Sequence, residues 1–275
     1  MTTLPKNPSE LEEVEYTGSP LERMAACLAE ILADNKNPAI TDKLKYCHTL
    51  AVGIEKYVDA LSTPHTPLEE KVFQDTANED WATRFKEGLV SFIPPKAMMT
   101  DQPEAAFLRV ITQLTRAERI LEIGMFTGHS AISFAVSKLV KEVVCLDVEP
   151  FFETFLKKRV QGTELEKKVT VVLGPAMESL QDLKNKGQKF DIVFIDADKT
   201  NYLNYYKTIM DSGLLSERGI FLIDNAFWGG SVIPGLNGGL GSTIHEFNEF
   251  VAQDNRVEQV VVPIRDGVSI IVQKQ

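Results

Sequence analysis

Leu121-Glu122-Ile123-Gly124-Met125-Phe126-Thr127-Gly128-His129-Ser130 reads as a strand that ends, a tight turn that uses two glycines, and a helix that begins. Glycines at such a turn let the backbone pass close to a ligand. Three residues rather than four separate them and no lysine follows, so this is not a Walker loop; the third glycine of a dinucleotide GxGxxG is also missing. Around this stretch, short β-branched runs alternate with helical stretches: Arg119–Ile123, Glu142–Leu146, Val169–Leu173, Phe190–Ile195 and Gly219–Ile223. That alternation predicts an α/β fold with a doubly wound parallel sheet. Val257–Pro263 and Val268–Val272 are β-rich runs separated by Ile264-Arg265-Asp266-Gly267, and Asp-Gly is a hairpin signal, so an antiparallel pair should close the sheet. The Gly-rich stretch Gly229–Gly241 reads as a flexible loop near the strand ends.

Toward the N-terminus the period changes to that of helices. Ser19-Pro20-Leu21-Glu22 and Thr66-Pro67-Leu68-Glu69 each place a hydroxyl at N-cap, proline at the first helical position and a glutamate three residues on. Leu44, Cys47, Leu50, Ile54, Tyr57, Val58 and Leu61 recur at three- and four-residue intervals, which predicts an amphipathic helix over Asp42–Leu61. Residues 1–18 are polar, with an acidic run, and are expected to form a flexible arm. The expected organisation is thus this arm, an all-helical extension over 19–96, and an α/β domain over 97–275.

The 275 residues are 44% hydrophobic and 25% charged, which excludes disordered, collagenous and disulfide-scaffold classes. With 29 Lys and Arg against 39 Asp and Glu, the net charge of −10 argues against nucleic-acid or anionic-lipid partners. Cys27, Cys47 and Cys145 form no CxxC pair, no basic-then-apolar leader is present and no apolar run reaches roughly 18 residues. The expectation is a cytoplasmic protein without a membrane span.

Acidic residues then gather at the strand ends. Glu122 opens the glycine loop, where a carboxylate suits a cation such as the sulfonium and amino group of S-adenosylmethionine better than a pyrophosphate. Asp147 ends the next strand, where a carboxylate can accept both ribose hydroxyls of an adenosine cofactor. Phe190-Asp191-Ile192-Val193-Phe194-Ile195-Asp196-Ala197-Asp198-Lys199 and Phe221-Leu222-Ile223-Asp224-Asn225 end the two strands that follow. Ligands of open α/β sheets sit outside the carboxyl ends of the strands, so Asp196, Asp224 and Asn225 can converge there. Two carboxylates and an amide oxygen match the oxygen preference of Mg²⁺ or a similar divalent cation, and no Cys or His cluster offers a zinc site. Solvated strand-end or helix-capping carboxylates are the alternative reading of each acid taken singly. A nicotinamide-dependent oxidoreductase would use a similar glycine loop and strand-end acid without needing Asp196, Asp224 and Asn225 together.

The order GxxTGxS, FIDADK, DN resembles the cation-dependent class I O-methyltransferases that include the catechol and caffeoyl-coenzyme A enzymes, over about Thr100 to Gln275. Within that group, GMFTGHSA, RVEQVVVPIRDGVSII and a helical extension containing Glu79-Asp80-Trp81 resemble the mycosporine-pathway O-methyltransferases. The resemblance implies a seven-stranded Rossmann-like methyltransferase sheet, S-adenosylmethionine as cofactor, and contacts to it from Thr100, Glu122, Gly124, Met125, Ser130, Asp147, Ala176 and Asp198. It implies Asp196, Asp224 and Asn225 as ligands of Mg²⁺ or a similar cation, and Lys199 as general base, a role that asks for a neutral amine beside the metal. The reaction implied is methyl transfer to one oxygen of a small acceptor with adjacent oxygens, either a catechol or a cyclohexenone enediol of the 4-deoxygadusol type. Gly229 stands where the caffeoyl-coenzyme A enzymes carry asparagine, which argues against a thioester; Trp228 is a candidate wall for a flat substrate, or plain packing. A homodimer is the expected assembly, with the helical extension covering the site's mouth or forming the interface.

Overall fold

β1 (Arg119–Ile123) is an inner strand of a seven-stranded sheet, where successive side chains point to opposite faces and both faces are covered. The computed structural model describes residues 18–95, 98–236 and 238–274. The arm expected over 1–18 lies, but for Gly18, outside the described residues, as does the expected boundary at 96/97. β2 (Glu142–Asp147), β3 (Val169–Leu173), β4 (Phe190–Ile195), β5 (Leu215–Ile223), β6 (Val257–Val262) and β7 (Val268–Gln273) complete the sheet in the order β3-β2-β1-β4-β5-β7-β6. β1 to β5 run parallel, and β7 pairs antiparallel with both β5 and β6, as the Asp-Gly turn predicts. β5 begins at Leu215, earlier than Gly219, because the pairing with β4 shifts between Phe190 and Ile192. Gly219 sits at that irregularity, where a Cβ would come 2.9 Å from Phe190 O.

Ile120, Ile192, Phe194 and Leu222 face one core layer with Phe134 and Ile132 of α6 (His129–Ala135), Phe152 and Phe155 of α7 (Pro150–Val160) and Leu108 of α5 (Gln102–Thr115). Leu121, Ile123, Val193 and Phe221 face the other, against Leu180 of α8 (Ala176–Asn185), Tyr202 and Tyr206 of α9 (Tyr202–Ser212) and Phe247 of α10 (Gly239–Gln253). Each of these fully buried side chains contributes about 1.5–3 kcal/mol of transfer free energy. α10 starts at Gly239, so the glycine-rich loop is shorter than its composition suggests.

The helical extension forms α1 (Pro20–Asp34), α2 (Pro38–Leu61), α3 (Pro67–Ala77) and α4 (Trp81–Lys86). Both capping boxes are present: Ser19 with Glu22 starts α1 and Thr66 with Glu69 starts α3. α2 begins four residues before Asp42, because Asn37 caps it and Pro38 fits its first turn. The strand order reverses between β1 and β4, and the crevice at their carboxyl ends is where an open α/β sheet holds its ligand.

Candidate active site

The glycine loop leaves β1 at that crevice. Gly124 adopts φ +90°, and a Cβ there would lie 2.2 Å from Asp196 O, so only glycine lets the loop pass this close to the end of β4. Asp147, at the end of β2, holds the loop in place: its Oδ2 accepts from Met125 N at 3.0 Å and from Phe126 N at 2.9 Å, and its Oδ1 accepts from Glu149 N at 2.9 Å. Burial raises the Asp147 pKa above its ordinary value, against these backbone donors.

A cavity of about 560 Å³ opens over this loop. Thr100, Gly124, Asp147, Ala176 and Asp198 line one part of it, and Asp196, Lys199, Asp224, Asn225 and Trp228 line another. Three residues expected to touch the cofactor do not line the cavity: Glu122, Met125 and Ser130. The period of two explains Glu122, which points from β1 into the layer beneath α6. There it is fully buried, accepts from Ser130 Oγ and accepts from Cys145 Sγ at 3.1 Å. Burial lifts its pKa to about 8, so at neutral pH it is mostly uncharged and offers little charge to a cation. Met125 packs its side chain into the core and brings only its backbone to the loop.

At the other part, Lys199 Nζ donates to Asp196 Oδ1 and to Tyr202 OH, each at 2.7 Å, and lies 5.7 Å from the centre of the Trp228 ring. Asp224 is buried, and desolvation together with the nearby Asp196 carboxylate pushes its pKa well above the usual range. Asn225 Nδ2 donates to Asp266 Oδ2 at 3.4 Å, and Gly229 N donates to Asp266 Oδ1 at 2.6 Å. Among the described residues no group of three His, Cys, Asp or Glu side chains stands in a metal-binding arrangement. A cation placed here would have the two carboxylates and the Asn225 amide to draw on. That all-oxygen donor set, with one carboxyl buried against another, suits a hard divalent ion.

Four non-glycine residues at positive φ line this one cavity: Phe126 (52°), Asn225 (58°), Trp228 (44°) and Arg265 (51°). Such backbone costs of order 1–3 kcal/mol per residue and collects at functional sites. Arg265, Asp266 and Glu104 were not singled out by sequence reasoning. The first two lay inside what reads as a turn, and Glu104 looks like an ordinary acid in the first turn of a helix. Arg265 Nε pairs with Asp101 Oδ2 at 2.7 Å and its Nη1 with Glu22 Oε1 at 3.3 Å, while Arg23 Nη1 donates to Gly229 O at 2.6 Å. The Arg23 contact fastens α1 to the loop that carries Trp228, and Arg265 ties α1 and the N-cap of α5 to the turn between β6 and β7.

The sequence profile of the O-methyltransferase family matches residues 86–274. A caffeoyl-CoA O-methyltransferase of Zinnia elegans is 32% identical over 189 residues, covering 64% of this chain and 76% of its own. One from Medicago sativa is 30% identical over 191 residues, covering 64% of this chain and 75% of its own. Among solved structures, the SAH-bound Podospora anserina methyltransferase PaMTH1 superposes with a TM-score of 0.67 at 26% identity, covering 82% of this chain and 96% of that one. The Bacillus cereus O-methyltransferase in complex with SAH gives 0.65 at 26% identity, covering 81% and 97%. With the profile spanning more than half of the sequence, the chain belongs to the O-methyltransferase family, enzymes that move the methyl group of S-adenosylmethionine to an oxygen.

Proposed function

We propose that this enzyme methylates one oxygen of a small acceptor bearing two adjacent oxygens, a catechol-like phenol or a cyclohexenone enediol of the 4-deoxygadusol type, with the help of a divalent cation. The observation that carries the reading is the single cavity whose wall holds both the Asp147-braced loop and the Asp196, Lys199, Asp224 and Asn225 cluster. Thr100, Gly124, Asp147, Ala176 and Asp198 would hold the cofactor, with Met125 contributing its backbone. Glu122 and Ser130 would support the loop from behind.

S-adenosylmethionine supplies an electrophilic methyl group, and a divalent cation such as Mg²⁺ held by Asp196, Asp224 and Asn225 would supply Lewis acidity toward the acceptor's oxygens. Lys199 Nζ, once it has given up a proton to become a neutral amine, would accept the acceptor's proton. Tyr202 cannot do so, because burial and the nearby carboxylates push its phenol well above its ordinary pKa, and it serves to hold the amine. Trp228 offers a flat wall beside Lys199.

A caffeoyl-CoA thioester is the second reading, favoured by the names of the curated relatives. Lys199 and Arg265, the cations among the described lining residues, are both already paired with carboxylates, which favours an acceptor without phosphate groups. Methyl transfer from labelled S-adenosylmethionine to catechol, a cyclohexenone enediol and caffeoyl-CoA, each with and without EDTA, tests the proposal. Transfer to one of the first two that EDTA abolishes is expected; transfer to the thioester alone, or to none, overturns it.

A further inference from the structure

Glu104 lies one turn into α5, after the Asp101 cap whose carboxylate accepts from Glu104 N at 3.0 Å. Helical phase turns its side chain inward, so that the residue is only 7% exposed and lines the cavity. Its Oε1 is buried and has no hydrogen-bond partner. An unmade hydrogen bond on a buried carboxyl is costly, and buried polar groups without partners need an explanation. The cations at this wall are committed elsewhere, Arg265 to Asp101 at 2.7 Å and Lys199 to Asp196 at 2.7 Å. The charges acting on Glu104 are chiefly those of Asp224, Asp101 and Asp196, with Arg265 opposing; together with burial they push its pKa well above the ordinary value.

Two explanations are weaker than the third. Direct metal ligation does not match the geometry, since Glu104 forms no metal-binding group with Asp196 and Asp224. A cofactor contact does not match its surroundings, because the side chains that act on it most belong to the Asp196 and Asp224 part of the cavity rather than to the Asp147 loop. What remains is a carboxyl set in the cavity wall, on the side that Asp196 and Asp224 line. Building on the proposed function, we infer that Glu104 is a specificity-determining residue whose carboxyl hydrogen-bonds a third oxygen of the acceptor, next to the two that the transfer reaction uses. An acceptor with only hydrocarbon at that edge leaves the carboxyl buried and unpaired, and the site discriminates against it for that reason.

Pyrogallol and catechol differ by that one oxygen and serve as probes. Wild-type enzyme should favour pyrogallol by about tenfold in kcat/KM and, with SAH bound, by a similar factor in Kd measured by calorimetry. Glu104→Leu should bring both ratios to about one, chiefly through a raised KM for pyrogallol, and Glu104→Gln should keep part of the preference. SAH affinity of both variants should stay within about twofold of wild type. Equal ratios in wild type and the leucine variant, or a loss that falls on SAH affinity instead, would overturn the inference. If the leucine variant does not fold, the glutamine variant carries the same comparison. A wild type that methylates neither probe nor any enediol contradicts the proposed function itself, a result distinguishable from an active enzyme indifferent to the third oxygen.

Discussion

Lys199 Nζ is held at two points, by Asp196 and Tyr202, so its removal should disturb chemistry more than folding. Lys199→Ala should slow turnover by roughly 10²–10⁴-fold while SAH affinity stays within about twofold; comparable losses in both would argue that the lysine is structural. Gly124 is held by sterics. Gly124→Ala places a methyl group against Asp196 O at positive φ, and a loss of about 2 kcal/mol or more in chemical denaturation, with SAH binding abolished, is expected. Glu122 gives a pH-dependent case. Its folded pKa, about 8, lies above the ordinary 4.5, so its favourable share of stability is complete below pH 4.5 and is lost as pH rises through 8. Glu122→Gln, which cannot ionise, should therefore raise the melting temperature at pH 8 more than at pH 4.5. Equal gains at both would show that the carboxyl is not held neutral.

At the scale of elements, α6 meets the extension through a buried histidine pair. His129, the first residue of α6, lies 4.6 Å from the ring of His65, which precedes α3, and neither His129 nitrogen nor His65 Nε2 has a hydrogen-bond partner. Burial, with His65 and Arg109 against Glu69 and Glu70, lowers the His129 pKa to about 4. The unfolded chain takes up this proton near pH 6.5 and the folded one only near 4, so stability is full above pH 6.5 and falls as pH drops toward 4. His129→Phe should remove about 2 kcal/mol of that acid sensitivity, measured by urea denaturation at pH 5 and pH 7.5. An unchanged difference between the two pH values would place the sensitivity elsewhere.

The elements themselves were largely legible. β-branched runs bounded by Gly, Asp and Asn marked the ends of β1, β3 and β4, and hydroxyl-Pro-x-Glu marked α1 and α3, because strand pleat and cap geometry are local. Asp196, Asp224 and Asn225 were legible as a group since adjacent parallel strands bring their ends together. The burial of Glu122 was not, because its neighbours Ser130 and Cys145 come from other elements, and a sequence period names a face without naming what covers it. Glu104 and Arg265 were hidden for the same reason: the groups around them, Asp196 and Asp224 for the first and Glu22 for the second, lie at long sequence separation.

Across the whole molecule, apolar surface is uneven. α2 buries only Ala51 among its 24 residues while Tyr46, Leu50, Ile54, Tyr57, Val58 and Leu61 stand exposed along it. The homodimer implied by the family resemblance would have this face available, and the net charge of −10 would make its assembly salt-dependent. Sedimentation should show a dimer in the wild type and a monomer after Leu50→Glu with Tyr57→Glu; an unchanged sedimentation coefficient would place the interface on another surface. None of the described helices is long and apolar enough to cross a membrane. The central claim concerns the junction of β4 and β5, and calorimetric titration of Mg²⁺ into the SAH complex tests it most directly. The account predicts saturable one-to-one binding by the wild type that Asp224→Asn weakens by about tenfold or more while SAH affinity is kept. Mg²⁺ binding that the substitution leaves unchanged, or a wild type that binds no Mg²⁺, would contradict it.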